Sequence, residues 1–177
     1  MKRFIIFISS LSSIALLFLL NSCFLFPEQK ETLPPATQTG ANTFGFLLNG
    51  KVWLPKGSNG FPNLSPSYDP NFHGKPTFGI SSYRVVSSSV FQNFGFYVNG
   101  IDKEGEFYFS SDSVASASFD NSSCEYFYHD STVYREGSIR ITKLALPIIS
   151  GTFDFILCKP GCDTIKITQG RFDFKFQ

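Results

Sequence analysis

Apolar residues alternate with polar ones along most of this chain after Thr43. Runs rich in Phe, Tyr, Val and Ile repeat with a period of two, and no window keeps apolar residues at helical spacing over several turns. Because successive side chains of a strand point to opposite faces, a period of two predicts β-strands. The chain after Thr43 is therefore predicted to be all-β.

Turn signals divide this region into short strands. Asn49-Gly50 suits a type I′ turn, because both positions tolerate positive φ, and it predicts a tight hairpin. The predicted strands before the C-terminal region are 44–48, 51–54, 78–86, 91–98, 106–110, 114–119, 125–129 and 138–143. About eight to ten strands in one domain predict an antiparallel two-sheet sandwich, with a flattened barrel as the alternative.

The C-terminal region predicts a three-stranded meander. A three-residue loop at 159–161 and a two-residue loop at 169–170 place apolar side chains on one face of the meander. The other face becomes a ladder of charges formed by Asp154, Lys166 and Asp173. Since the apolar face must be buried and no helix is predicted, we expect it to pack on a second sheet.

Residues 1–22 predict an export signal. Lys2 and Arg3 precede an apolar run over residues 4–20, which is the pattern of a secretory signal peptide. Residues 20–23, Leu-Asn-Ser-Cys, resemble a bacterial lipobox, in which the cysteine is acylated and the chain is cut before it. An uncleaved membrane anchor is the alternative, because the run is nearly long enough to cross a bilayer.

A lipidated Cys23 would hold the mature chain on a membrane, since two or three acyl chains anchor a protein stably. Phe24 follows Cys23, in place of the aspartate that signals inner-membrane retention in many lipoproteins. The predicted location is therefore the outer membrane, on its periplasmic or cell-surface face. Residues 23–43 lack apolar periodicity and predict a disordered tether, so the domain is expected to span residues 44–177.

The charge balance limits the partners that the chain can have. Its 177 residues carry 15 Lys and Arg against 14 Asp and Glu, and 42% of them are hydrophobic. Near-neutrality excludes nucleic-acid binding through a basic surface, and the low charge excludes a disordered solvating chain. The membrane is therefore contacted through the lipid anchor, and no nucleic acid is expected as a partner.

The cysteines predict a disulfide, because an exported chain meets an oxidising compartment. Once Cys23 is acylated, three cysteines remain, and the loop at 159–161 places Cys158 opposite Cys162. This favours a Cys158–Cys162 bond, with Cys124 bonded to either of them, or three free thiols, as alternatives. The C-x3-C spacing without a nearby Cys or His is a poor zinc motif, so neither a metal nor another cofactor is expected.

Few residues suit catalysis. The chain has two histidines, His73 and His129. His129, Asp130 and Ser131 contain the residue types of a catalytic triad, but neighbours in a strand point to opposite faces and cannot act as one. We therefore expect no enzyme and no catalytic residues. The alternative is an unrecognised envelope hydrolase, such as a glycan-active enzyme with paired carboxylates.

Residues 55–76 form a long segment without a strand pattern. Loops of this length in a compact domain are usually functional or disordered. The segment carries Phe61, Tyr68, Phe72 and His73 among five prolines and three glycines. Such rings stack on sugars or fill a partner's pocket. They predict a non-enzymatic ligand- or protein-binding module that recognises an envelope protein or glycan. The alternative is that the rings cover one end of the sandwich.

Four stretches of the chain are distinctive in combination: LPPATQTGANTFGFLLNGKVWLP, SIRITKL, IISGTFDF and DTIKITQGRFDFKF. Together they resemble a family of uncharacterised small all-β lipoproteins common in Bacteroidota. The resemblance implies a lipid-anchored envelope protein of unassigned function, and it supplies no catalytic residues.

Three tripeptides resemble the acidic, hydroxyl, apolar motif that exported Bacteroidota proteins use for O-glycosylation. Their hydroxyl residues are Ser113, Ser131 and Thr164. The resemblance implies that at least one of them carries a sugar, which requires an exposed position. An unmodified hydroxyl at a strand edge is the alternative for each.

Overall fold

The structure is a computed structural model that describes residues 30–87, 90–109 and 114–177. In this part of the chain, strands are the only regular secondary structure. No helix able to cross a membrane occurs in this part. The strands are β1 (Thr43–Leu48), β2 (Lys51–Trp53), β3 (Leu64–Phe72), β4 (Lys75–Ser87), β5 (Val90–Asn99), β6 (Gly105–Tyr108), β7 (Ala115–Asn121), β8 (Cys124–Tyr126), β9 (Tyr134–Ala145), β10 (Ile148–Cys158) and β11 (Ile165–Lys175).

The strands form two antiparallel sheets. One sheet has six strands in the order β2-β1-β11-β10-β9-β6, and the other has five in the order β3-β4-β5-β7-β8. The sheets do not close into a barrel. The predicted all-β class and sandwich are therefore confirmed, in preference to the flattened barrel.

Aromatic rings fill the space between the sheets. Phe94 of β5 stacks on Phe44 of β1 and on Phe153 of β10, with centroid distances of 6.0 and 5.6 Å. Phe78 of β4 meets Phe172 of β11 at 5.1 Å. Pairs of this kind contribute about 0.5–1.5 kcal/mol each beyond their buried area. The alternating phenylalanines of both sheets therefore hold the sandwich together.

The β1–β2 hairpin has the register predicted from Asn49-Gly50. Phe46 lies opposite Trp53, and their rings stack at 4.6 Å. Asn49 and Gly50 have φ values of 47° and 81°, as a type I′ turn requires. The Trp53 indole N–H donates to Gln92 Oε1 of the facing sheet at 2.8 Å, so this buried polar group is satisfied.

The predicted turn at Gln169-Gly170 is wrong, because β11 runs through it as one strand. Gln169 has a φ of 53°, and the pairing of β10 with β11 shifts at this point. An extra residue with positive φ makes a bulge, which changes the outward-facing set of side chains without reversing the chain. Gly170 lies against the Phe153 ring, where a Cβ would overlap it.

The predicted register of β10 and β11 is displaced by two residues. Phe155 lies opposite Ile167, and Leu157 lies opposite Ile165, whereas a three-residue loop would pair Phe155 with Ile165. The connection between the strands is longer than predicted, spanning 159–164. Since the displacement is even, the apolar face keeps its members.

The predicted charge ladder does not form. Lys166 lies opposite Ile156, and Asp154 lies opposite Ser138 of β9. Asp173 lies farther along β11, beyond the bulge, opposite Ser150. The ladder is absent because both loops on which it depended differ from the prediction.

Most of the predicted loop at 55–76 belongs to a hairpin. β3 pairs with β4, and Phe72 lies opposite Lys75. His73 and Gly74 form the turn, with φ values of 50° and 82°. β3 carries two prolines at the edge of its sheet, where a missing N–H is tolerated. These prolines obscured the strand in the sequence.

Residues 32–42, the N-terminal segment, belong to the folded unit, which spans Thr32–Gln177. The prediction of a disordered tether up to residue 43 therefore extends too far. Arg171 Nη1 donates to the Pro34 carbonyl at 3.3 Å, and Lys143 Nζ donates to the Gln38 carbonyl at 3.0 Å. The segment thus crosses the outer face of the six-stranded sheet.

The carboxylate of Asp173 holds the N-terminal segment in place. Asp173 is 1% exposed. Its oxygens accept hydrogen bonds of 2.6–3.1 Å from Ser150 Oγ, Thr37 Oγ1 and the backbone N–H groups of Thr39, Gly40 and Ala41. Burial alone would raise the pKa of Asp173, but these hydrogen bonds outweigh it and hold the pKa well below its usual range.

Candidate ligand-binding site

The four aromatic residues predicted to form a binding loop do not share one surface. Phe61 precedes β3 and is 75% exposed, whereas Phe72 ends β3 and is 50% exposed. A strand of this length spans about 30 Å. His73 lies beside Phe72 at a centroid distance of 4.4 Å, and Tyr68 packs on Phe176 at 6.0 Å. The hairpin therefore separates Phe61 from the other rings.

Residues 127–133, which we name the aromatic loop, bring other rings together between β8 and β9. Phe127 and His129 stack at 5.8 Å. Tyr128 meets His129 at 4.9 Å and Tyr97 of β5 at 5.6 Å, nearly perpendicular to both rings. Tyr128 is 54% exposed. The loop thus presents a group of rings toward solvent.

Asp130 organises the middle of the aromatic loop. Its Oδ1 accepts from the Thr132 N–H at 2.9 Å and from the Thr132 hydroxyl at 2.7 Å, which closes an Asx turn. Its other oxygen pairs with Lys159 Nζ at 3.0 Å. The hydrogen bonds from Thr132 and then from Lys159 lower the pKa of Asp130 to about 2.

Arg135 of β9 binds the backbone of the aromatic loop. Its guanidinium donates to the carbonyls of Asp130 at 3.2 Å, Val133 at 2.9 Å and Phe127. Nε is buried without a hydrogen-bond partner among the described residues, and burial lowers the pKa of Arg135. Polar contacts within the chain therefore fix the loop without covering its rings.

The aromatic loop forms one wall of a cleft of about 890 Å³, which we name the aromatic cleft. Small-molecule sites have volumes of about 300–1,000 Å³. The described residues that line it are Tyr97, Phe109, Ala115, Ser116, Tyr128, His129, Ser131, Thr132, Val133, Tyr134 and Arg135.

Tyr134 borders the aromatic cleft at the start of β9. It is 58% exposed, and its hydroxyl donates to Glu136 Oε2 at 2.9 Å. This hydrogen bond raises the pKa of Tyr134. The cleft is thus lined by both rings and hydroxyl groups, which suits a ligand with both apolar and polar faces.

The sequence contained a signal for the aromatic loop that the strand prediction concealed. β8 ends at Tyr126, whereas the predicted strand ran to residue 129. Phe127, Tyr128 and His129 break the alternation, and the following Asp130 is a turn residue. His129, Asp130 and Ser131 do not form a triad, because the Asp130 carboxylate contacts Thr132 and Lys159.

The disulfide joins Cys124 to Cys162. The favoured Cys158–Cys162 pairing is therefore wrong, and the alternative in which Cys124 is bonded to Cys162 is correct. Cys158 is a free thiol, with its Sγ 3.5 Å from Thr164 Oγ1. The longer β10–β11 connection places Thr164 where the shorter loop would have placed Cys162. The bond links β8 of one sheet to a connection of the other.

Asp120 and Glu125 form a pair of acidic residues on β7 and β8. They lie directly opposite each other. Burial is the main cause that raises the pKa of Asp120, and the charge of Glu125 adds to it, against a hydrogen bond from Asn93. Among the described residues, no three His, Cys, Asp or Glu side chains gather as a metal site would require.

The residues predicted to carry modifications are only partly within the described region. Ser131 and Thr164 are exposed, as a glycosylated residue must be. Ser113, the acylation residue Cys23 and the predicted signal peptide at 1–22 lie outside the described residues.

A family model matches residues 79–174, more than half of the chain. The family is described as Domain of unknown function (DUF6252). The matched range runs from β4 to β11 and includes every described residue of the aromatic cleft. No curated protein matches the chain significantly. No solved structure matches it significantly either.

Proposed function

We propose that this chain, which belongs to the DUF6252 family of domains of unknown function, is a non-enzymatic binding module whose ligand occupies the aromatic cleft. The observation that carries the proposal is the ordered loop with exposed rings. Aromatic side chains stabilise a fold by being buried. Rings that an ordered loop keeps in solvent regain that stabilisation when a ligand covers them.

The proposed module is lipid-anchored at the outer membrane. The signal pattern and the lipobox ending at Cys23 support the anchor. The resemblance of the motif stretches to small all-β lipoproteins of Bacteroidota also supports it. The unknown partner, an envelope protein or glycan, would then lie in the same compartment.

The anchor is tested by the Cys23→Ser variant in the native host. Metabolic labelling with a palmitate analogue should mark the wild-type chain and not the variant, because the variant lacks the thiol that is acylated. Equal labelling of both chains would contradict the anchor.

The binding site is tested by capture from solubilised envelope extract. The full chain in detergent serves as bait, and Tyr128→Ala removes a ring of the loop that is 54% exposed. Phe61→Ala is the matched control, because Phe61 is 75% exposed but lies outside the cleft. We expect Tyr128→Ala to lose captured material and Phe61→Ala to keep it. The reverse pattern, or no effect of Tyr128→Ala, would contradict the proposal.

A hydrolase is the second candidate, because Asp120 and Glu125 are directly opposite and the pKa of Asp120 is raised. Opposed side chains have Cβ atoms about 4.5–5.5 Å apart, and retaining glycosidases hold their carboxyl groups about 5–5.5 Å apart. Release of reducing ends from envelope glycans by the wild-type chain, lost in Asp120→Asn, would favour the enzyme.

A further inference from the structure

The groups around the aromatic cleft favour one chemical class of ligand. We infer that the ligand is a neutral saccharide, an inference that rests on the proposed binding function. It follows from the arrangement of the rings, the polar groups between them and the charges of the described lining residues.

Tyr128 meets two other rings of the cleft edge to face. Tyr128 is perpendicular to Tyr97, with an interplanar angle of 87°, and to His129, with an angle of 89°. A pyranose ring presents an apolar C–H face and an equatorial rim of hydroxyl groups. The face packs on an aromatic ring while the rim stays available for hydrogen bonds, so a cleft with both rings and polar groups suits a sugar better than a uniformly apolar ligand.

Hydroxyl groups line the same cleft as these rings. Ser116, Ser131 and Thr132 line the aromatic cleft. A hydroxyl group both donates and accepts hydrogen bonds, and the hydroxyl groups of a sugar do the same. The Thr132 hydroxyl donates to Asp130, which leaves its lone pairs to accept from a ligand.

The charged side chains in and beside the cleft sum to zero, because Arg135 and Lys159 are positive and Asp130 and Glu136 are negative. Arg135 is the only Lys, Arg, Asp or Glu side chain among the described lining residues. Its terminal nitrogens donate to three backbone carbonyls, and its Nε is buried. The neighbouring Asp130 pairs with Lys159. An ionic ligand would lose hydration and meet no excess of opposite charge, whereas a neutral ligand avoids that cost.

The concave shape favours a saccharide over a folded protein partner. Protein interfaces bury about 800 Å² per partner on broad surfaces, whereas this site is a cleft of about 890 Å³. Clefts of such volume enclose small molecules or a few units of a chain. The occupant is therefore a short stretch of an oligosaccharide.

The inference is tested with neutral and acidic polysaccharide fractions of the envelope, separated by anion exchange and added to the full chain in detergent. We expect the neutral fraction to bind the wild-type chain and Phe61→Ala, and to bind Tyr128→Ala at least tenfold more weakly. Because Tyr128 is 54% exposed but contacts the rings of Tyr97 and His129, the thermal unfolding midpoint of Tyr128→Ala should fall by only a few degrees, and the variant should stay folded in the binding assay. Binding of the acidic fraction alone would overturn the inference.

Periodate treatment separates this inference from the proposed function, because periodate cleaves the vicinal diols of sugars. Capture that depends on Tyr128 and is lost after periodate treatment of the extract supports a saccharide. Capture that depends on Tyr128 and survives the treatment overturns the saccharide and leaves the binding function standing. If no capture depends on Tyr128, both are wrong.

Discussion

Asp173 joins the two ends of the folded unit at a single carboxylate. It belongs to the last strand, and its partners Thr37, Gly40 and Ala41 belong to the first described residues. A buried carboxylate is stable only when such donors surround it. The N-terminal segment is therefore part of the fold. Any tether between the proposed anchor at Cys23 and the folded unit ends before Thr32.

Replacing Asp173 by alanine should lower the free energy of unfolding by about 3 kcal/mol, because several buried donors lose a charged acceptor. Urea unfolding measures this loss. Asp154→Ala is the control, since Asp154 is exposed, and it should change stability by less than about 0.5 kcal/mol. Equal losses in the two variants would contradict the role of Asp173.

The same carboxylate predicts how stability depends on pH. The pKa of Asp173 is lowered in the folded chain, so its contribution is present above the unfolded pKa of about 3.9 and is lost as the pH falls below that value. We expect the stability of the wild type to fall more steeply between about pH 5 and pH 2 than that of Asp173→Asn. Parallel curves would contradict this assignment.

At the scale of the strands, the sequence alone predicts those features that depend on neighbouring residues, such as strand periodicity and tight turns. Asn49-Gly50 had one consistent interpretation, and the β1–β2 register followed from it. Gln169-Gly170 is compatible with two structures, because a positive φ at the first position occurs both in a tight turn and in a bulge. The choice depends on β1, which pairs along β11, and a pairing between strands so far apart in the chain has no local signal.

The candidate site was only partly predictable for the same reason. The rings of residues 127–129 are visible in the sequence, and so is the turn residue Asp130. Arg135 follows the aromatic loop directly, but Lys159, which pairs with Asp130, and Tyr97, which contacts Tyr128, lie far from the loop in the chain. The sequence therefore shows that aromatic residues are abundant but not which of them are held in solvent.

Gly137 is a point where β9 and β10 approach too closely for a side chain. Its φ is 136°, and a Cβ would overlap the Asp154 carbonyl. We expect Gly137→Ala to cost about 3 kcal/mol of stability, from strain and lost pairing. Gly105→Ala is the control, since a Cβ there meets nothing within 4 Å. Similar unfolding midpoints for the two variants would show that the strands are farther apart than described.

At the scale of the whole molecule, the disulfide ties the two sheets together near the aromatic loop. Cys124 and Cys162 are 38 residues apart. The backbone carbonyl of Glu125, next to Cys124, accepts a hydrogen bond from Lys159 Nζ. The same connection thus supplies both a covalent link and the cation that pairs with Asp130. The cleft is therefore attached to both sheets.

Loss of this disulfide should destabilise the domain by about 4 kcal/mol, the loop-entropy value for a closed loop of this length. The double variant Cys124→Ala, Cys162→Ala tests it in chemical denaturation. Cys158→Ala is the matched control and should lose less than about 1 kcal/mol. Non-reducing peptide mapping should recover a peptide linked through Cys124 and Cys162. A Cys158–Cys162 linkage would contradict the pairing.

Hydrogen exchange on ligand binding tests most directly the claim that the aromatic cleft is the binding site. The full chain in detergent is compared with and without the envelope fraction that it captures. We predict slower amide exchange in residues 127–135, with no change in residues 57–74, because the ligand covers the aromatic loop and leaves the β3–β4 hairpin in solvent. Slower exchange confined to residues 57–74 would contradict this claim and would show that the ligand binds the β3–β4 hairpin.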